Sequence, residues 1–357
     1  MSSRNPLHIC GEGFFEIFHA CPVFCIAEES MSEHTSIDVL VVGSGPAGLS
    51  CAIEAVRAGL STVVLEKGGF ADALRRFPTN LVWFSTPELL EIGDIPFVIS
   101  TTRPSRVDTL NYYQKVAQHY ALDVRTFEEA IEIRPRESSL HVLTQSGSTY
   151  NAQTVIIATG YFDRPNHLDV PGEELPHVAH YYVEPYECFG ENVVVVGGRN
   201  SAVEAALDLY RHGVKVTLVH RGPGLSDGVK YWILPDIQNR IKAGQIRAYF
   251  DSVVESIGQE EIILRSFGER IAIPARFAFI LIGFRPDVER LKSYGVHVDP
   301  ETLGPCISET TFETNVRGLF VAGSIVAGKN NNKIFVENGR LHAKSIIPEI
   351  ARRLKAR

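Results

Sequence analysis

A glycine-rich turn occurs twice in this chain, 154 residues apart, each time between an apolar strand and a helix. Ile37–Val42 (IDVLVV) reads as a buried strand by run length, and Gly43-Ser44-Gly45-Pro46-Ala47-Gly48 comes directly after it as a full G-x-G-x-x-G. Leu49, Ala52, Ile53 and Val56 then share one helix face, and Gly59 closes the helix. Ser61–Leu65 (STVVL) is the next strand, ending at Glu66-Lys67. Strand, turn, helix, strand and acid together are a dinucleotide fingerprint in context. The first glycine permits the tight turn, the second lets the backbone approach a pyrophosphate, and the third lets helix pack on strand. Unpaired N–H groups at the helix N-terminus favour the pyrophosphate. Glu66, 23 residues after Gly43, is placed to accept hydrogen bonds from a ribose diol.

The second unit keeps the same register. Asn192–Val196 (NVVVV) is the strand and Gly197-Gly198-Arg199-Asn200-Ser201-Ala202 the loop. Ala202, Ala205, Ala206 and Leu209 form the helix stripe, Gly213 ends it, and Val214–Val219 (VKVTLV) is the following strand. The position 23 after Gly197 is His220, with Arg221 next to it. An acid there suits a free 2′-hydroxyl, and an arginine suits a 2′-phosphate. The second unit is therefore read as an NADPH site, with a solvated surface charge as the alternative for Arg221. Arg199 stands where the second glycine belongs, and its Cβ obstructs close backbone approach. Either the loop is wider, or the guanidinium meets a phosphate. Lys230, nine residues after Arg221, is a further cofactor candidate, with a substrate carboxylate or water as its other partners.

Two more strands end in the same manner. Thr154–Gly160 (TVIIATG) runs into Gly160, and Phe277–Ile282 runs into Gly283. A late segment, Thr314–Ser324, carries Gly323 and Ser324, and a closing helix lies within Phe335–Leu354.

The 357 residues suggest about two domains. The net charge of −7 argues against a broad nucleic-acid surface. Residues 1–30 differ in character from the rest of the chain: they hold Cys10, Cys21 and Cys25, and their apolar stretch is broken by Glu16, His19 and Pro22. That stretch is too short to span a membrane and lacks the parts of a secretory signal. Met31 is read as the working start and 1–30 as a disordered or mis-assigned leader. The C-x3-C of Cys21 and Cys25 has no partner pair, and the 12 histidines form no metal-spaced cluster, so no metal is expected. With no segment of membrane length, the expected location is the cytoplasm.

From Ile37 to Ala351 the chain resembles the two-dinucleotide flavoprotein reductases of the low-molecular-weight thioredoxin reductase type. The resemblance implies an α/β fold of two Rossmann-like, three-layer ββα domains. A discontinuous FAD domain (31–160 and 288–357) would carry an inserted NADPH domain (161–287). FAD would then meet Gly43, Gly45, Pro46, Ala47, Gly48, Glu66, Lys67, Gly160, Gly323, Ser324, Lys333 and Ile334. NADPH would meet Gly197, Gly198, Arg199, Asn200, Ser201, Ala202, His220, Arg221, Lys230 and Gly283. In that family an aspartate on the flavin ribityl chain stands where this chain has Ser324. The N-terminus of the last helix, near Lys333-Ile334, would face the flavin pyrimidine and stabilise negative charge there. Four segments, 84–97 (FSTPELLEIGDIPF), 197–202 (GGRNSA), 229–235 (VKYWILP) and 334–340 (IFVENGR), are similar to the bacillithiol disulfide reductases, the YpdA or Bdr family. A basic residue in the second loop is ordinary in that family. This implies NADPH-dependent reduction of bacillithiol disulfide, in a homo-oligomer.

A cysteine pair is missing where relatives keep one. Thioredoxin reductases carry C-x-x-C just before the second loop's strand, where this chain has Tyr181, Tyr182, Tyr186 and a single Cys188. Residues 67–120, where glutathione-reductase-type enzymes carry their pair, hold no cysteine. Some family members have cysteine after the first-loop proline; here it is Ala47. Cys51 lies one turn further, on the same helix face, and is the one catalytic candidate, with inert packing as its alternative. The expectation is direct reduction of a small disulfide by flavin, with no essential cysteine. The rivals are a ferredoxin or flavodoxin NADP reductase, a flavin monooxygenase, and a redox-sensing scaffold that turns over slowly. The chain ends at Ala356-Arg357 without the aromatic extension common in the first rival. Its His180 lacks the phenylalanine at 174 that the second requires, since 174 is glutamate.

Overall fold

The apolar runs ahead of the two glycine loops become the central strands of two parallel sheets. The computed structural model describes residues 37–330 and 333–356. The 1–30 leader and its cysteines lie outside the described residues.

In the first sheet β1 (Ile37–Val42) lies between β2 (Thr62–Leu65) and β6 (Thr149–Ile157), parallel to both. β3 (Asp123–Arg125) extends the β2 edge. A hairpin of β4 (Ala130–Pro135) and β5 (Leu140–Thr144) pairs antiparallel with the first half of β6. The second sheet has the order β10-β9-β8-β14-β7 and is parallel throughout. Its strands are β7 (Val178–Ala179), β8 (Asn192–Val196), β9 (Lys215–Val219), β10 (Arg247–Tyr249) and β14 (Phe277–Ile280). A separate antiparallel sheet holds β11 (Ser252–Ile257), β12 (Glu261–Ser266) and β13 (Glu269–Pro274). Finally β15 (Leu319–Val321) returns to pair with the second half of β6, at Val155–Ile157.

Alternating side chains build a helix layer and a β layer on opposite faces of each parallel sheet. Val39, Val41, Val64 and Ile156 face Cys51, Ala52 and Ala55 of the helix Pro46–Arg57, and Ile346, Ile347 and Ile350 near the C-terminus. Leu40, Val42, Leu65 and Ile157 face the other way, onto Ile133, Leu140 and Val142 of the hairpin. In the second sheet Val193 and Val195 pack on Ala202, Ala205, Ala206 and Leu209, whereas Val194 and Val196 pack on Val254, Ile262 and Ile273. Parallel strands buried on both faces read as unbroken apolar runs, which is why IDVLVV and NVVVV show no polar alternation. The fold is thus the α/β, three-layer ββα arrangement of two Rossmann-like units.

Three local details differ from the sequence reading. Val56 is 37% exposed while Cys51 and Ala55 are buried, so the helix stripe turns slightly away from the expected face. The strand read at Thr154–Gly160 begins five residues earlier, because its first half is needed to hold the hairpin. The closing helix comes in three joined pieces, Val336–Gly339, a 3-10 turn Arg340–His342 and Ala343–Lys355. Gly339 passes so close to Gly323 that an added Cβ would lie 3.2 Å from its Cα.

The chain crosses between the two parallel sheets twice, and the crossings run side by side. Asn166 N donates to Gly283 O (2.9 Å), Arg285 N to Arg164 O (2.9 Å), and the Arg164 guanidinium pairs with Asp287 (2.7 Å). No helix among the described residues is long and apolar enough to cross a membrane.

Candidate functional site

The helix Pro46–Arg57 starts with its N–H groups free. Gly45 is its N-cap, with φ −71° and ψ 175° and no side-chain cap. The helix Asn200–Arg211 likewise begins at Arg199 without one. The helix Arg106–His119, away from both loops, is closed by a Ser105–Asp108 capping box. Uncapped N-termini at the carboxyl ends of central strands leave donors for an anionic ligand.

Gly43 and Gly48 make the first turn possible. Gly43 has φ +109°, and an added Cβ would lie 2.6 Å from Ala158 O; one on Gly48 would lie 2.0 Å from Gly43 O. Gly45 differs: nothing lies within 4 Å of its would-be Cβ, and it faces a cleft of ≈ 670 Å³. That volume is ordinary for a small-molecule or cofactor site.

Gly43, Gly45, Pro46, Ala47, Glu66, Lys67, Gly160, Gly323, Ser324 and Ile334 all line the cleft. Gly48 sits behind it under Gly43, and Lys333 is exposed outside the lining. Gly160 (φ +66°) lies against Ser324 Oγ, and Gly323 (φ +79°) against the Ala47 methyl. Glu66 is 7% exposed. Its Oε2 accepts from Ser44 N (3.0 Å) and Ser44 Oγ (2.8 Å), and its Oε1 accepts from Gly68 N (3.1 Å). It therefore braces the loop as well as facing the cleft. A carboxylate has about four acceptor positions, so one remains for a ribose hydroxyl. Two buried polar atoms of the cleft wall, Trp83 Nε1 and Glu337 Oε2, have no protein partner. Unpartnered buried polar atoms and a bare helix terminus both suit a polar, phosphate-bearing ligand such as FAD.

The sequence reading missed Asp72, Arg76, Asp163 and Phe162, which share the cleft wall with Lys67. Lys67 Nζ pairs with Asp163 (2.8 Å), which also pairs with Arg76. Arg76 bonds Asp72 (2.7 Å) and lies over the Phe162 and Tyr181 rings. Burial raises the Asp72 carboxyl, and Arg75 with Arg76 outweighs it, leaving Asp72 below the ordinary carboxylate range. Phe162 packs on Phe77 and Phe284. Trp83 and Phe84 line the cleft; Trp232 packs on Phe84 (5.3 Å) beneath the Arg103 guanidinium (4.1 Å).

At the second loop, Gly197 (φ +146°) approaches Leu281 O, and Ala202 packs beneath it. Gly198 admits the His220 ring: an added Cβ would lie 2.6 Å from it. Burial, then the fields of Arg221 and Arg199, push the His220 imidazolium below its usual range. Both arginines are exposed, and neither side chain has a hydrogen-bond or ion-pair partner among the described residues. The two free guanidiniums flanking His220 form a corner suited to a phosphate. Asn200 and Ser201 reach the first cleft, and Asn200 is bonded to Gly228 O and Lys230 N. Gly283 (φ +94°) sits in the return crossing, packed near Asn166, outside the cleft lining.

Lys230 lines the cleft beside Asn200 and Glu204. It is 7% exposed, and its ammonium donates to Val82 O (3.0 Å) and pairs with Glu204. Burial pushes the Glu204 carboxyl up against the pull of Lys230. Lys230 therefore bridges the second loop's helix to the first unit, with two of its three ammonium donors engaged.

Cys51 is displaced from the role considered for it. It is fully buried beneath β1 among Val39, Ala52 and Ala343, and no described cysteine lines the cleft. Burial, with Glu54 adding to it, pushes its thiol up to about 12, so a thiolate is not available near neutral pH. Cys188 is buried with its thiol pushed up to about 11, and Cys306 is exposed. Cys51→Ala is expected to lose on the order of 1 kcal/mol of stability and to retain full turnover per bound flavin. Loss of disulfide reduction with intact flavin reduction in that variant would contradict this placement.

His342 holds the floor beneath Gly323. Its Nδ1 accepts from Gly323 N (3.1 Å), and its ring stacks on Phe312 (4.2 Å). Burial pushes its pKa down to about 4. The unfolded chain, with an ordinary value of about 6.5, binds more protons between these limits, so stability rises with pH there. The contribution is complete above about pH 6.5 and falls by on the order of 3 kcal/mol as pH drops to about 4. Urea midpoints across that window should fall steeply for the natural chain. They should fall less for His342→Gln, which keeps an acceptor for Gly323 N.

The family model described as "Pyridine nucleotide-disulphide oxidoreductase" matches residues 40–323. Over 316 residues, 88% of this chain and 97% of the relative, the chain is 42% identical to bacilliredoxin reductase Bdr of Bacillus subtilis strain 168. The solved bacillithiol disulfide reductase Bdr (YpdA) of Bacillus cereus is 39% identical, with a TM-score of 0.86 over 89% of this chain and 99% of that one. The Staphylococcus aureus Bdr (YpdA) structure gives the same TM-score and coverage at 35% identity. The chain belongs to the pyridine nucleotide-disulphide oxidoreductase family, in its Bdr (YpdA) branch.

Proposed function

We propose that this chain reduces a small disulfide, bacillithiol disulfide foremost, with NADPH and through bound FAD, without a cysteine relay. The observation that carries this reading is the cleft itself. It joins the first glycine loop to Asn200 and Ser201 of the second, and no described cysteine lines it. The overall change balances as NADPH, one proton and one disulfide giving NADP⁺ and two thiols. Bound FAD supplies the two-electron chemistry between nicotinamide and disulfide. The uncapped helix start at 45–47 holds the pyrophosphate, and Glu66 orients a ribose. The Gly323–Ser324 turn and the helix beginning at Val336 hold the flavin end. Arg199, His220 and Arg221 hold the 2′-phosphate of NADPH. In this reading the FAD part comprises 31–160 and 288–357 and the NADPH part 161–287. The paired crossings at 164–166 and 283–287 support those boundaries. The protein works in the cytoplasm as a homo-oligomer, which light scattering would check.

The test is NADPH oxidation by the full chain on adding bacillithiol disulfide. Glutathione disulfide, cystine, coenzyme A disulfide, an oxidised bacilliredoxin and a flavodoxin are the comparison arms, with the oxygen background subtracted. A large rise with bacillithiol disulfide alone supports the reading. A rise with bacilliredoxin only would move the substrate to a protein, as the name of the B. subtilis relative states for that enzyme. Fast reduction of flavodoxin and of no disulfide would retire the disulfide reading.

A further inference from the structure

Glu173 is a buried carboxylate without a lysine or arginine partner among the described residues. It accepts from Leu168 N (2.9 and 3.1 Å, one to each oxygen) and Asp169 N (2.8 Å), which fixes its plane. His167 Nδ1 and His180 Nε2 face the same oxygen, Oε1, at 3.4 and 3.6 Å. The ligand atoms of the three side chains all lie within 4.8 Å of one another. His180 Nδ1, its other nitrogen, is buried and unpartnered.

Those spacings exceed ordinary hydrogen bonds of about 2.7–3.2 Å. Ligands about 2.0–2.1 Å from a tetrahedral zinc ion stand about 3.4 Å apart, close to the distances from each imidazole nitrogen to Oε1. A buried carboxylate is normally paired or metal-bound, and here two imidazole nitrogens converge on one of its oxygens. Both histidines offer nitrogen donors of the borderline kind that zinc accepts, and His167, exposed on one side, leaves a position for water.

We propose that His167, Glu173 and His180 bind one divalent transition-metal ion of the zinc type. The site spans the segment from the first crossing at 164–166 to the residue just after β7, which pairs with β14 in the second sheet. His177 Nε2 already ties this segment to Gly258 O (2.9 Å), and Ile257 N donates to Pro171 O (2.9 Å). A bound ion would cross-link both ends of the loop 167–180 and stiffen the root of the inserted unit. It stands apart from the cleft, whose lining contains none of the three residues.

The test uses the full flavin-loaded chain, stripped with a chelator and titrated with Zn²⁺ against a chromophoric competitor. One equivalent should bind. Loss of an outer-sphere partner already costs about 10–100-fold in metal affinity, so His167→Ala, which removes an exposed ligand, should weaken binding by about 100-fold or more. Its flavin content should match the natural chain. Glu173→Gln should weaken binding as well. Co²⁺ should give visible ligand-field bands that His167→Ala removes. Absence of saturable Zn²⁺ binding, or equal binding by His167→Ala, would overturn the proposal. Neither result depends on which disulfide the enzyme reduces.

Discussion

Gly45→Ala is expected to give a chain that folds and does not hold FAD, whereas Gly48→Ala is expected to lose the fold's stability first. The two glycines lie three residues apart in one turn, and the structure gives them different tasks. At Gly45 the backbone (φ −71°, ψ 175°) is open to any residue, and no atom lies within 4 Å of an added Cβ. The methyl would point into the cleft, where the pyrophosphate must approach the helix N-terminus. The urea midpoint of the apoprotein should change little, and FAD affinity should fall by about 100-fold or more, equivalent to roughly 3 kcal/mol. At Gly48 an added Cβ meets Gly43 O at 2.0 Å, backbone against backbone, so no rotamer relieves it. That forced separation of helix and strand should cost on the order of 4 kcal/mol in the apoprotein itself. FAD titration and urea melts on both apoproteins check the pair. Natural FAD affinity in Gly45→Ala would remove the pyrophosphate from this loop.

Arg221→Ala should weaken NADPH about 30–100-fold and leave NADH nearly unchanged, the loss of about 2–3 kcal/mol from a charge-assisted contact to phosphate. The basis is a corner of two exposed guanidiniums with no carboxylate paired to them, around an imidazole that packs against Gly198 and Gly222. Arg199→Ala should act in the same direction, and the double variant should leave NADPH and NADH nearly equal. Flavin bleaching by each nucleotide under anaerobic stopped flow separates the two. An equal loss for both nucleotides would place the arginines on the shared pyrophosphate. Discrimination by Arg221 should also shrink with added salt, since the contact is exposed.

The backbone plan of one β-α-β unit was legible in the residues alone. The strands IDVLVV and NVVVV, the glycines after them, and the acid or arginine at the end of the next strand all lie within a short stretch. Their spacing is fixed by helix and strand geometry, so both loops and the layered α/β fold could be read. Helical spacing also placed Cys51 on the face of Ala47, but a turn of about 5.4 Å along the axis separates cleft from core. Ala47 lines the cleft, and Cys51 lies beneath the sheet. Partners far apart in the chain emerge only when the sheets assemble. Asp163 meets Arg76 from 87 residues away, Lys230 meets Val82 from 148, and Ser85 meets Glu337 from 252. Even His167, Glu173 and His180, close in sequence, carry no metal-ligand spacing. They converge because the turns at 171–177 and the pairing of β7 with β14 fold the loop back on itself. Local periodicity encodes which face of an element is buried, whereas the partner waiting on that face is set by the packing of the whole chain.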